Sequence, residues 1–414
     1  MANQKDYKTI EEFAGWLAEG LDRPTAKFLE NMLRGIHTSK SIKLANVARA
    51  LGESSDLHAT CNRLSRNLAK SDLAETIATR LLEQGAHMVK RHTRLIVHVF
   101  ELAKPNARKM QYLQDSVLNQ TPGEANYQVC EIYASNTGAA KYLPLLTTFW
   151  SRCAPGYISD SQQILTALRR VLDATNGRGV VLVDSRGMQT TTFDDVCKYL
   201  LTDNDRQFIS NSVLEDRAFV YRQQRKTLAE LIDLCAMPYA ARLYKVLPAD
   251  WATIDKRSYL GQYISSTPKK LFDWAIPMEF GSLRARYQGR PVSIIVLKTS
   301  HSTLGESTTT IITSYERLHT RKTILVPIRA YISINDVIAA HKTLRDSYNP
   351  ADLQVSKYDR MQLLVTLLHA VIFFEARSYK LKSPFASLVP HEGDYHRDFV
   401  LPEDVERLQR LDLT

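Results

Sequence analysis

Two nearly unbroken apolar runs, RLIVHVFEL at 94–102 and GVVLVDSRGM at 179–188, restrict the fold of this 414-residue chain more than any other feature. A strand wetted on one side alternates apolar and polar residues. A strand apolar at almost every position must be covered on both faces, as in the middle of an α/β sheet. YQVCEIYAS (127–135) and KYLPLLTTFWS (141–151) read as two more strands, and QQILTALRRVLDATNG as an amphipathic helix stopping at Gly177. Strands, a crossover helix and another buried strand predict an α/β core with a mixed sheet flanked by helices.

Before that core the period is helical. Residues 8–34 predict two amphipathic helices broken near LDRPT, where Pro24 suits a first helical turn. A helix is expected from Leu44 to Leu51 with Gly52 as its C-cap. A second is expected from Leu57 to Leu68, with Ser54, Ser55 or Asp56 as N-cap. Two short helices around a glycine-containing turn are the plan of a helix-turn-helix DNA reader. On that reading His58, Thr60, Asn62 and Arg63 face base edges, and Arg66 or Lys70 meets phosphate. An ordinary layer of a helical bundle is the alternative.

Charge favours the DNA reading. The chain carries 54 Lys and Arg against 44 Asp and Glu, a formal charge of +10, which points to a polyanion partner. The excess is clustered. Residues 36–70 hold Lys40, Lys43, Arg49, Arg63, Arg66 and Lys70 against Glu53 and Asp56. Further clusters are Lys90, Arg91, Arg94, Lys104, Arg108 and Lys109; then Arg284, Arg286, Arg290 and Lys298; then Arg317, Arg321, Lys322 and Arg329. The five cysteines (61, 130, 153, 197, 235) include no CxxC pair, which argues against a disulfide framework or zinc knuckle and for free thiols. The most apolar stretch, MQLLVTLLHAVIFFEA, is short for a membrane span and interrupted by His369.

These boundaries divide the chain into 1–90, an all-α helix-turn-helix domain; 91–204, the first part of the α/β core; 205–325, an inserted β-rich subdomain; 326–382, the last part of the core; and 383–414, a tail ending in a helix. Within 205–325, SLRARYQGRPVSIIVLKTS and TTTIITSY read as β, and TLAELIDLCAMPYAARLY as helical. YISINDVIAAHK (331–342) reads as the start of a helix with Ile334, Val337, Ile338 and His341 on a buried stripe.

Taken in order, the basic helix-turn-helix, LIVHVFELAKP, VVLVDSRGM, the β-rich stretch and YISINDVIAAHK resemble the bacterial insertion-sequence transposases of the DDE class over roughly residues 40–375. The resemblance implies an RNase H-like core with a β insertion before its last catalytic helix. It also implies in-line attack at phosphodiesters, using two divalent metals held by Asp, Asp and Glu. Two hard cations ~3.5–4 Å apart need anionic oxygen ligands to activate water and stabilise the leaving oxygen.

Under that resemblance Asp184 matches the second acid. His98 stands where the first Asp belongs, with Glu101 at the family's downstream acid. Asn335 stands where the Glu belongs, followed by Asp336, and Lys342 keeps the family's Lys. Ile328 and Tyr331 replace its Tyr and Arg. An imidazole suits Zn or Mn more than Mg, and an amide brings no charge. A shifted alignment would enrol Glu101 or Asp336, but Glu101 falls on the opposite strand face from His98, and Asp336 is ~100° around a helix from Asn335. Purely structural roles also stand: Asp184 as a cap, His98 as a core histidine, Asn335 as a surface residue.

The resulting expectation is a transposase-like, sequence-specific DNA-binding protein without strand cleavage, needing no cofactor. It would bind double-stranded DNA as a homodimer or larger assembly, with further protein partners possible in principle and no membrane, in the bacterial cytoplasm at the nucleoid. The alternative is an active cut-and-paste transposase or nuclease using Mg or Mn at Asp184. A third option is a protein-interaction or RNA-binding scaffold; a single-strand or RNA binder calls for stacking platforms, and nothing in the sequence resembles an RNA-binding signature.

Overall fold

The apolar runs pair as their composition demands. The computed structural model describes residues 7–104, 107, 109–116, 125–135, 142–203, 206–212, 217–244, 275–301 and 305–378. In it β1 (Arg94–Ala103) lies antiparallel to β3 (Ala125–Ser135) and parallel to β5 (Val180–Val183). β4 (Tyr142–Trp150) pairs antiparallel with β3, and β6 (Phe208–Ser212) parallel with β5. The central order is therefore β4-β3-β1-β5-β6, with β1, whose first four residues are all buried, in the middle.

The sheet does not stop there. β12 (Gly305–Thr313), β11 (Arg290–His301) and β10 (Ala275–Tyr287) follow β6 as an antiparallel run. The hairpin β7 (Ala218–Tyr221) and β8 (Gln224–Thr227) forms the edge. With β2 (Gln114–Asp115) on β3 and β9 (Tyr239–Tyr244) on β10, the sheet has 12 strands. The segment expected as an inserted subdomain is indeed β-rich, but its described strands prolong the core sheet instead of forming one of their own. TLAELIDLCAMPYAARLY is half corrected. It supplies α8 (Leu228–Leu234), started by a Thr227–Glu230 capping box, and then β9, where pairing with β10 overrides the helical preference of Ala, Leu and Arg.

The N-terminal helices are α1 (Ile10–Leu17), α2 (Arg23–Ser39), α3 (Leu44–Leu51), α4 (Leu57–Asn67) and α5 (Ser71–Ala86). Local signals place them. Asp22 caps α2 with Pro24 in its first turn, Gly52 ends α3 at φ 61°, and Asp56 caps α4. Phe13, Leu29, Leu33 and Leu81 share one core with Leu145 of β4, Val171 of α6 (Asp160–Ala174) and Phe373 of α10 (Tyr358–Ser378). The helical N-terminal segment is thus continuous in its packing with the sheet.

The other sheet face is covered by α9 (Arg321–Asp346), whose Ile324, Ile328, Ile334 and Val337 pack on Ile96, Leu182, Ile209, Phe280 and Ile295. The expected stripe is present, with Ile334 and His341 each 1% exposed. Its start is corrected: the helix begins at Arg321, behind a Thr320–Thr323 capping box, well ahead of Tyr331. Pro327 sits inside the helix. Burial of Ile324, Leu325 and Ile328 outweighs the one backbone hydrogen bond it removes. By length and composition α9 could cross a membrane; here 53% of its apolar window is buried in the protein. The tail 383–414 and its expected helix lie outside the described residues.

Candidate functional site

Register brings the two strand positions singled out in the sequence together. Val97 pairs with Val183, and the Asp184 amide donates to the Val97 carbonyl at 2.9 Å. The next side chains, His98 and Asp184, therefore lie side by side, His98 Nδ1 donating to Asp184 Oδ2 at 2.9 Å. Arg186 folds back in the short turn Ser185–Gly187 and grips the same carboxylate, Nε to Oδ1 at 2.7 Å and Nη2 to Oδ2 at 3.0 Å. Asp184 also caps that turn by accepting from the Arg186 amide, so the structural role open to it in the sequence is filled as well. Burial pushes the carboxyl up, but hydrogen bonds from His98 and Arg186 prevail and hold it down at about 2. The turn fits only because residue 187 is glycine: a Cβ there would lie 1.7 Å from the Val99 carbonyl oxygen.

A second buried charge stands beside this pair. Glu131 on β3 is the cross-strand partner of His98, and such partners project on one face. It accepts from His341 Nε2 and Arg345 Nη1, both at 3.2 Å, and from the Tyr133 hydroxyl. Burial would raise its pKa, but the His341 and Arg345 charges hold it well below the usual carboxylate range. Arg345 lies over the Phe100 ring, which stacks on His98. Sequence reasoning passed Glu131 by. The available signal was a lone acid within the apolar run YQVCEIYAS. The last turns of α9 are thereby tied to the strand pair carrying His98.

These residues do not fit a pair of divalent cations. Both Asp184 oxygens are engaged by cationic or imidazole donors, the adjacent position offers an imidazole, and both Glu131 oxygens are taken. Glu101 accepts from Ser116 Oγ and from Gln128 Nε2 at 3.0 Å, and strand alternation turns it off the His98 face. Among the described residues no group of three or more His, Cys, Asp or Glu is placed to hold a metal ion. Asn335 and Asp336 belong to α9, but their side chains lie outside the described residues. Tyr331, one turn earlier, lies close enough to Arg186 to act on it electrostatically, and the helix contacts β1 and β5, so α9 passes beside the site.

The expected DNA contacts divide into two sets. His58, Asn62 and Arg66 are exposed along α4 at four-residue spacing, a single outward stripe, and Lys342 is exposed on α9. Lys43 is half-buried at the start of α3. The others are occupied elsewhere. Thr60 is 2% exposed and bonds Ser55 and Glu53, so it cannot reach a base edge from this position. Arg63 pairs with both oxygens of Glu53 at 2.6 Å, clamping the turn between α3 and α4. Lys40 bonds Glu375 and Tyr348, tying α2 to α10, and Lys70 bonds Thr25. Lys104 is buried beneath the carbonyls of Pro350, Ala351 and Leu353, and burial lowers its pKa to about 8. All five cysteines are free thiols; Cys130, Cys197 and Cys235 are buried, Cys61 is half-buried and Cys153 exposed.

No protein-family profile and no curated protein matches this sequence. Among solved structures, a cryo-EM structure of a piggyBac transposase synaptic complex with hairpin DNA is similar at a TM-score of 0.39 and 10% sequence identity, covering 92% of this chain and 75% of that chain.

Proposed function

We propose that this chain is a sequence-specific DNA-binding protein on an RNase H-like, transposase-type core whose cleavage site keeps only one of its three metal-binding carboxylates, Asp184. The observation that carries the binding part is the exposed stripe His58, Asn62 and Arg66 on a short helix held rigid from behind. Asp56 caps the helix, Glu53 clamps Arg63, and Arg360 of α10 donates to Ser65. Asn reads adenine edges and Arg reads guanine or phosphate, so the stripe has the chemistry of major-groove recognition. The strand order β4-β3-β1-β5-β6, three antiparallel strands and then parallel ones, supports the core assignment. So does Asp184 at a strand end directly beside His98.

The silent site follows from donor chemistry. Asp184 is ionised, but it already accepts from His98 and its charge is balanced by Arg186, so a divalent cation would have to displace a guanidinium to reach it. Selection from random duplexes tests the binding reading. The wild-type protein should enrich one motif at ~100 mM salt. Asn62→Ala should relax one position of that motif by ~1–3 kcal/mol, and Arg66→Ala should weaken binding. Retention of no duplex, or recovery of the same motif by the variant Asn62→Ala/Arg66→Ala at undiminished affinity, contradicts the proposal.

A further inference from the structure

The arginine cluster of the sheet's far end is used by none of the interactions above. β7 and β8 are joined by Arg222 and Gln223, both at positive φ, a two-residue turn whose twist matches that of the flanking strands. Register then sets Arg225 opposite Val220, Val220 opposite Arg286, and Arg286 opposite Pro291, one row across four strands. Strand alternation puts Arg284 on the same face, one step from Arg286. All three arginines are exposed, and so is Val220, at 46%. Among the described residues no carboxylate pairs with Arg225 or Arg286, while Arg284 meets only Glu316, at 3.5 Å, both of those side chains being more than half exposed.

This face is continuous with the one carrying His98 and Asp184. Ile96 pairs with Leu182, Leu182 with Ile209, Ile209 with Thr313, Thr313 with Ser293, and Ser293 with Arg284. At ~4.8 Å per strand, Arg284 stands ~19 Å across the sheet from the strand of Asp184, on the ground that α9 leaves uncovered. Arg225 and Arg286 are two strands apart, ~10 Å, and Arg284 and Arg286 ~7 Å. The two spacings meet at Arg286 roughly at a right angle, one across the strands and one along them, so the three heads span a patch about two to three phosphate repeats wide. Arginine heads on a rigid sheet bind phosphate in paired hydrogen bonds and read no sequence.

We propose that Arg225, Arg284 and Arg286 form a second contact with duplex DNA, gripping its sugar–phosphate backbone apart from the α4 reading head. This rests on the reading of the chain as a DNA binder, and the experiment separates the two. The variant Arg225→Gln/Arg284→Gln/Arg286→Gln is compared with wild type on the selected motif between 50 and 200 mM salt, with melting temperature as the check on folding. Losing three phosphate contacts lowers the salt slope by ~2.7, so the affinity ratio of wild type to variant shrinks ~40-fold across that range. Base preference stays unchanged. An unaltered slope with motif binding intact overturns the second contact alone. Wild-type protein that binds no duplex overturns the underlying reading. A changed base preference at constant slope shows that these arginines read bases and overturns the backbone assignment.

Discussion

Replacing Asp184 with Asn isolates what its buried carboxylate does. The group is 1% exposed and accepts from His98 and from three nitrogens of Arg186, the backbone amide and two of the guanidinium. Its pKa near 2, against an ordinary 3.8, corresponds to ~2.5 kcal/mol of linked stability. The Arg186 side chain is 48% exposed, so screening by water brings the usable part down to ~1–2 kcal/mol. The sign follows from the direction of the shift. A carboxyl whose pKa is depressed by folding stabilises fully above its unfolded value, and that stability disappears as pH falls through its folded value. Asp184→Asn should therefore unfold at lower urea than wild type at pH 7, and the gap should close between about pH 4 and pH 2. Tryptophan fluorescence through a urea titration at several pH values measures it. DNA affinity at neutral pH should move less than ~2-fold, because no phosphate contact is assigned to this residue. A variant as stable as wild type at pH 7, or a gap indifferent to pH, refutes the ion-pair reasoning. Loss of DNA binding with folding intact refutes the structural role assigned to the residue.

Two other substitutions probe the scaffold. Gly187→Ala drives a Cβ into the Val99 carbonyl, so the turn must move. It should cost at least ~1–3 kcal/mol and separate His98 from Asp184, read by denaturation and by the imidazole proton shifts of His98 in NMR spectra. Glu375→Gln leaves an amide oxygen for Tyr348 but removes the negative charge paired with Lys40, and should destabilise the protein by ~1–2 kcal/mol, since Glu375 is buried while the Lys40 side chain is half exposed. Limited proteolysis should then cut first between the N-terminal helices and β1.

Much of the fold was legible because its signals are local. Apolar runs marked β1, β3, β4 and β5, and Gly52 and Asp56 marked the ends of α3 and α4. What escaped depends on partners distant in sequence. β9 is a strand because β10 pairs with it, and α9 absorbs Pro327 because the sheet supports it. The site was half legible. His98 and Asp184 were singled out through a family resemblance, and register does place them together. Glu131 went unnoticed because its value lies in His341 and Arg345, more than two hundred residues away. Lys40, Lys70 and Lys104 counted as free positive charge although each is committed to an internal partner, a distinction that charge counting cannot make.

The central claim is a DNA reader with a silent core, and one sequencing experiment tests it. Purified protein is incubated with host genomic fragments and Mn²⁺, the retained DNA is recovered, and both its positions and its ends are read. Intact fragments sharing a motif are the predicted result. Fragment ends clustered at a fixed offset from a motif would show that the site around Asp184 still cuts, and would contradict the assignment of His98 and Arg186 as its permanent partners.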